Sequence, residues 1–348
     1  MKALLLSSYK HLEVTEMERP IAGPGELLIA VRACGICGSD VHGYDGSTGR
    51  RLPPIVMGHE AAGVVAALGD GVSGFVLGDR VTFDSTVYCG HCYFCTKGQI
   101  NLCDHREVIG VSTPLFRRMG AFAEYVTVPA RIAYHLPAEM PFSHAALIEA
   151  VSVAVHAVSL TPIELDDTVV VVGAGMIGLL TLQAARLAGA GRIVVMDLDD
   201  ERLRLAKRMG ADVVVNGRDP KAAIECVLGS TSGRGADIAL ECVGASATVK
   251  LCLDSVRKGG AVTLVGNVSP VVDFDLQSCV TRQIRVQGSC ASSGEYPKCI
   301  SLMARGAIRV AELLSACTPL DEGPQWFERL YARESGILKV VLEPTLDS

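Results

Sequence analysis

Cys34 and Cys37 stand at C-x2-C spacing just ahead of Ser39, Asp40 and His42, and Gly58-His59-Glu60 follows the turn at Pro53-Pro54. Thiolate, imidazole and carboxylate form the ligand set of a zinc ion, and three protein ligands with an open fourth position mark a catalytic site. Spacing alone leaves either Cys34 or Cys37 as the sulfur ligand. A second cluster, Cys89, Cys92, Cys95 and Cys103, has C-x2-C-x2-C-x7-C spacing. Four thiolates on one short loop fill a tetrahedral shell, which predicts a closed, structural zinc. His91 and His105 lie beside this lobe, but the sulfurs already complete its shell. Glu149 is the only acid in an apolar stretch that predicts one helix over 144–159, with Ser143 as N-cap and Pro162 beyond its end. A buried carboxylate needs a partner, and a metal cation is one; the alternative is an acid on a solvated helix face. His156 is read as a packing histidine.

A different chemistry is written between Thr168 and Asp200. The continuous run Val169 to Val172 reads as a buried parallel strand. Gly173, Gly175 and Gly178 follow in G-x-G-x-x-G spacing, a helix opens at Met176, and a second apolar run, 193–196, ends on Asp197. The first glycine permits a tight turn, the second lets backbone N–H groups approach a pyrophosphate, and the third lets helix and strand pack closely. The helix presents its positive end to the phosphates. Asp197 is placed to accept hydrogen bonds from ribose hydroxyls and to repel a 2′-phosphate. Arg202 and Arg204, in the next helix, are read as a solvated face.

These groups need elements to hold them. A chain of 348 residues exceeds one ordinary core, so two domains are expected. A hydrophobic fraction of 49% and a charged fraction of 20% describe a core-rich soluble chain, and a net charge of −6 leaves no basic footprint for nucleic acid. No apolar run reads as a membrane span. The apolar start at Leu4-Leu5-Leu6 stops at Ser7 and is followed by Lys10, His11 and Glu13, so it reads as a first strand rather than a signal peptide. Thirteen cysteines cannot all pair, which fits a reducing compartment and a cytoplasmic location. Up to Pro137 the pattern is short strands between Gly and Pro turns. Beyond Asp197 helices alternate with strands at 213–215, 238–242, 262–265 and 284–287, as in a doubly wound parallel sheet. Helices at 297–305 and 324–333 and a strand at 338–342 close the chain. The pairs Arg50-Arg51 and Arg117-Arg118 could face an anionic substrate, but paired arginines in loops are more often solvated, and they are read as surface.

With these pieces in order, the chain resembles the zinc-dependent medium-chain dehydrogenases, most closely their polyol (sorbitol-like) and sugar-phosphate alcohol branch, over essentially its whole length. The resemblance rests on 35–42 (GICGSDVH), Gly58-His59-Glu60, the four-cysteine lobe, 120–125 (GAFAEY) and the glycine turn. It implies an α/β architecture in which a Rossmann doubly wound parallel sheet domain is inserted into a β-rich GroES-like catalytic domain. The catalytic domain is expected over 1–150 with its zinc lobe at 89–103, the NAD-binding domain over 151–288, and a return to the first domain over 289–348. Catalytic zinc is expected on Cys37, rather than Cys34, with His59, Glu149 and Glu60, the last directly or through water. Asp40 would orient the histidine, and Ser39 and His42 would relay the proton. NAD is expected against Gly173, Gly175, Met176, Ile177, Gly178, Asp197, Arg202, Val243 and Val265. The implied activity is reversible oxidation of a secondary alcohol to a ketone, with two zinc ions per chain. A homodimer or homotetramer is implied, with a small alcohol or ketone as substrate and neither nucleic acid nor membrane as partner.

Two departures stand out. Ala150 replaces the proline that follows the glutamate in the polyol pattern, and 289–295 (SCASSGE) lacks the arginine that sorbitol-like enzymes supply near substrate, which argues against sorbitol itself. Threonine-type 3-hydroxy amino acid dehydrogenation shares the zinc chemistry, but Glu149 within Glu-Ala-Val-Ser-Val is the more polyol-like. A non-catalytic nucleotide-binding protein of the same fold is disfavoured because Cys37, His59 and the relay residues are all present.

Overall fold

A β-branched strand without a polar face must be covered on both sides, and Thr168–Val172 is: it is interior to a six-stranded parallel sheet. The spatial order is Val213–Asn216, Arg192–Asp197, Thr168–Val172, Ala236–Glu241, Val256–Leu264, Arg285–Gly288. Counted along the chain this is 3-2-1-4-5-6, the doubly wound order that opens a crevice at the carboxyl ends of the first and fourth strands. Val170, Val172, Val194, Met196, Ala239 and Val262 form its core. Side chains start the helices: Asp199 accepts from the N–H groups of Glu201 and Arg202, and Asp219 from those of Lys221 and Ala222 ahead of Pro220 at the first turn.

The computed structural model describes residues 1–345, and the chain divides into two units. The sheet above belongs to the unit Ala150–Glu295; the other joins Met1–Glu149 to the segment that begins at Tyr296. The return to the first unit thus comes at Tyr296 rather than at 289, because 289–295 stays with the parallel sheet after its last strand.

The first unit is β-rich. A seven-stranded sheet runs Ala133–His135, Arg80–Phe83, Glu60–Leu68, Glu26–Gly35, Lys339–Glu343, Leu314–Pro319, with Tyr125–Pro129 also paired to Glu26–Gly35. Lys2–Ser8 is the middle strand of a smaller sheet between His11–Glu16 and Ile55–Val56. Leu4, Leu6, Leu27, Ile29, Phe83, Phe122 and Phe327 fill the space between them.

Two expectations need correction. The stretch 144–159 is two helices, Phe142–Ala145 and Ile148–Ser159, and Pro141 occupies the N-cap position, so Ser143 lies inside the first helix. Proline's fixed φ starts that helix early, and it ends after one turn at Ala146. By length and hydropathy 142–159 could also cross a membrane, but it is broken in this way and 67% of it is buried in the protein. Strand Leu314–Pro319 and helix Leu276–Thr281 were not legible in the pattern.

The glycine turn makes a direct test. A Cβ on Gly178 would sit 1.7 Å from the carbonyl oxygen of Gly173, a backbone atom that cannot swing aside. Gly178→Ala is expected to cost about 1–3 kcal/mol in thermal unfolding and to weaken nicotinamide nucleotide binding together with it.

Candidate functional site

Strand Glu26–Gly35 delivers Cys37 to the start of the short helix Gly38–Gly43, where the Cys37 N–H donates to Asp40 Oδ2 at 3.2 Å. His59 immediately precedes strand Glu60–Leu68, which pairs antiparallel with the first and sets Gly35 opposite Glu60. One sheet register therefore brings two distant motifs together: donor atoms of Cys37, His59 and Glu60 all lie within 4.8 Å of one another. The other sulfur candidate, Cys34, is fully buried in the strand, and burial, with the charges of Asp40 and Glu60, raises its thiol well above the usual range. A thiol so held is a poor ligand, which leaves Cys37.

His59 Nδ1 is buried 3.4 Å from Asp40 Oδ1, long for a hydrogen bond, so the contact is chiefly electrostatic. It favours the proton on Nδ1 and leaves Nε2, 3.5 Å from Ser39 Oγ, for a metal. Burial would lower the pKa of this ring, but the charges of Asp40 and Cys37 outweigh it and raise it well above an ordinary histidine's; a cation at Nε2 satisfies the same demand. Burial would likewise raise Asp40, and the charges of His59 and Arg51 instead hold it well below the carboxylate range.

Glu149 stands in the first turn of helix Ile148–Ser159 and lies outside the three-donor cluster. It accepts from Ser85 Oγ at 3.3 Å, and burial, with the charges of Glu60 and Asp84, pushes its carboxyl up to about 7 against the pull of His59. Glu60 is held differently. Both its oxygens accept from Lys339 Nζ, at 2.9 and 2.7 Å, and Lys339 also donates to the Ile36 carbonyl at 3.0 Å. Lysine and glutamate are 3% and 2% exposed.

Lys339 and Arg51 are the residues that sequence reasoning missed. Arg51, read as surface, is buried against Asp40, because the charge it meets lies one helix away rather than in solvent. No local signal marks Lys339, but a lone lysine inside the apolar run Ile337 to Leu342 could have prompted a search for a buried acid. His42 is half-buried on the same helix as Ser39, and among the described residues no hydrogen bond joins them. Arg117 donates to the Leu52 and Pro53 carbonyls, and Arg118 pairs with Glu26 and Glu107. His156 does more than pack: its Nδ1 is 2.7 Å from Glu295 Oε1.

The cysteine lobe is assembled. Sulfurs of Cys89 and Cys95 are 4.0 Å apart and those of Cys92 and Cys103 3.9 Å. A tetrahedral zinc with bonds of about 2.3 Å requires sulfur separations of about 3.8 Å, so the four fit one ion and exclude disulfides. Backbone N–H groups of Cys89 and His105 point at Cys103 Sγ, both at 3.3 Å, as suits a thiolate.

In the other unit, Gly173 has φ +99°, and a Cβ there would meet Val243 at 2.6 Å. A Cβ on Gly175, which precedes helix Met176–Ala188, would meet nothing within 4 Å, so the approach to the helix N-terminus is open. Met176 and Ile177 are half-buried in its first turn. Asp197 ends its strand with Oδ2 accepting the Ala174 N–H at 2.6 Å and Oδ1 the Asp199 N–H at 2.9 Å. Its carboxylate is thereby fixed at the turn. Arg202 is exposed, and the N–H of Val265 is tied to the Glu241 carbonyl at 2.8 Å.

The chain is similar to known proteins over most of its length. Residues 23–138 match the alcohol dehydrogenase GroES-like domain and residues 177–305 the zinc-binding dehydrogenase family. Sorbitol dehydrogenase of Bacillus subtilis (strain 168) is 34% identical over 99% of this chain and 97% of its own. D-arabitol-phosphate dehydrogenase of Enterococcus avium is 35% identical, covering 96% and 94%. L-threonine 3-dehydrogenase of Pyrococcus horikoshii is 38% identical over a shorter match, 77% and 76%. A chain from Sinorhizobium meliloti 1021, solved bound to NADP, superposes with a TM-score of 0.90 at 34% identity, covering 99% of both.

The buried Lys339–Glu60 pair gives a stability test. Lys339→Met leaves a buried carboxylate without its cation and is expected to lower unfolding free energy in urea by about 3–5 kcal/mol. Adding Glu60→Gln to it is expected to recover most of that loss.

Proposed function

The chain belongs to the zinc-binding alcohol dehydrogenases, and we propose that it oxidises an uncharged polyol or sugar alcohol reversibly to the ketone, with NAD as hydride acceptor. The observation that carries this reading is a buried carboxylate, Glu149, within electrostatic reach of His59 in a chain similar to sorbitol and arabitol-phosphate dehydrogenases. Three of the four arginines weighed for an anionic substrate are engaged within the protein, Arg51 with Asp40, Arg117 with carbonyls and Arg118 with acids, which supports a substrate without phosphate. The thirteen cysteines, all free of disulfides, support a reducing, cytoplasmic setting.

Cys37, His59 and Glu149 are the proposed zinc ligands, with Glu60 withheld by Lys339. When bound, zinc supplies Lewis acidity that lowers the proton affinity of an alcohol oxygen. Asp40 keeps the His59 proton on Nδ1. Ser39 Oγ, beside Nε2, is placed to take the substrate's hydroxyl proton, and His42, further along the helix, to pass it to solvent through an intervening water or ligand hydroxyl. The fixed carboxylate of Asp197 favours ribose hydroxyls and opposes a 2′-phosphate.

The test is kcat/KM across a panel of polyols, their phosphates and L-threonine, with NAD and NADP. A free polyol is expected to lead, and NAD to exceed NADP by at least ~10-fold, or about 1.4 kcal/mol. Faster turnover of threonine or of a phosphate overturns the substrate, and parity of the cofactors overturns the reading of Asp197.

Metal content tests the two sites separately. Two zinc ions per chain are expected in protein purified without chelators. Cys103→Ser is expected to shed one and lower Tm, because a closed four-sulfur site contributes folding energy outright. Cys37→Ser is expected to shed the other and abolish turnover while nicotinamide binding persists. One zinc or none in the unaltered protein overturns the pair.

A further inference from the structure

We propose that Arg51 is a positioning residue of the zinc centre, locking Asp40 behind His59 and aiming the Ser39 hydroxyl with the same guanidinium. The inference rests on the zinc reading of Cys37 and His59. Arg51 is only 2% exposed. Its Nε and Nη2 donate to Asp40 Oδ1 at 3.2 and 2.8 Å, Nη2 also donates to Ser39 Oγ at 3.3 Å, and Nη1 to the Arg50 carbonyl at 3.3 Å. Asp40 Oδ1 in turn lies 3.4 Å from His59 Nδ1, and His59 Nε2 lies 3.5 Å from Ser39 Oγ. The contacts close a ring: Arg51, Asp40, His59, Ser39 and back to Arg51. Space for it is built in, since a Cβ on Gly43 would stand 2.3 Å from Arg51 Cγ.

Simple neutralisation of Asp40 would need only a cation. The fork does more. A guanidinium only donates, so Ser39 Oγ must accept from it, which commits one lone pair and leaves the other, with the hydroxyl's own proton, for the substrate side. The two bonds on one oxygen of Asp40 leave its second oxygen to the Cys37 N–H, so the same side chain also steadies the sulfur ligand's backbone. Lysine, with a single ammonium on a flexible stem, cannot hold both partners in this geometry.

The experiment compares Arg51→Lys and Arg51→Met with the unaltered protein, and Asp40→Asn with Asp40→Asn/Arg51→Met. Zinc retention is measured by chelator competition, NADH binding by fluorescence, and turnover separately. Arg51→Met is expected to weaken the catalytic zinc about 10–100-fold, the usual effect of losing a group behind a metal ligand. Retained NADH binding would show that the nucleotide-binding unit is intact. Arg51→Lys is expected to recover much of the zinc affinity but little of the turnover, because Ser39 loses its donor. In the Asp40→Asn background Arg51→Met is expected to add little to the zinc loss, as for two residues acting through one contact. Wild-type zinc affinity in Arg51→Met, or wild-type turnover in Arg51→Lys, overturns the role of Arg51 and leaves the zinc reading standing. If Arg51→Met does not fold, Arg51→Lys and the double variant decide the same question. An unaltered protein that holds zinc only in the cysteine lobe overturns the zinc reading, and the inference with it.

Discussion

Two buried ion pairs, Asp40–Arg51 and Glu60–Lys339, set the terms for the first unit, since none of the four side chains is more than 3% exposed. An unpaired charge so placed costs several kcal/mol, and a pair is tolerable only with good geometry and further hydrogen bonds. Both pairs meet those conditions. Asp40 takes two guanidinium bonds and a backbone N–H, and Lys339 spreads its donors over two carboxylate oxygens and a carbonyl. Their partners then have little freedom, which is what a metal site asks of its surroundings.

The Glu60–Lys339 pair also bears on why the chain must come back. Lys339 opens strand Lys339–Glu343, whose neighbours Val341 and Leu342 sit opposite Gly35 and Cys34. The same strand that feeds Cys37 into the site is thus zipped on one edge to the strand of Glu60 and on the other to the strand of Lys339. A chain ending at Glu295 would leave that edge open and Glu60 buried without its cation. Insertion of a self-sufficient parallel sheet between residues 149 and 296 is compatible with this, because that sheet has its own core and its own order.

How legible each part was in the sequence follows from how local its physics is. The glycine turn and the cysteine lobe depend on neighbours within a few residues, so spacing reveals them; the caps at Asp199 and Asp219 are as local, yet only the structure brought them out. Between Cys34 and Cys37, burial of Cys34 in the sheet favours Cys37, and spacing does not encode that burial. Arg51 looked solvated because paired arginines usually are, and its burial depends on a helix whose glycine, Gly43, makes room for its stem. Strand Leu314–Pro319 shows why pattern alone fails: its Ser315, Thr318 and Pro319 resemble a loop, and it is a strand because Lys339–Glu343 offers it a parallel partner. Ser143 had the right chemistry for a cap, but Pro141 had already started the helix.

The two glutamates of the site divide their roles on electrostatic grounds. Glu60 has a lysine bonded to both oxygens, so a metal at those oxygens would have to displace an ammonium from a buried pocket. Glu149 is pushed up to about 7, chiefly by burial, with the charges of Glu60 and Asp84 adding to it. Its carboxylate form is therefore the one a dication stabilises most, since a cation reverses both the desolvation and the like-charge repulsion that raised it. With Cys37 as a thiolate and His59 neutral, a Glu149 carboxylate balances a divalent ion's charge, whereas adding Glu60 without Lys339 would overshoot it by one. Lys339 thus does for Glu60 what zinc is proposed to do for Glu149, and the donor that remains for the metal is the one whose burial most demands a cation.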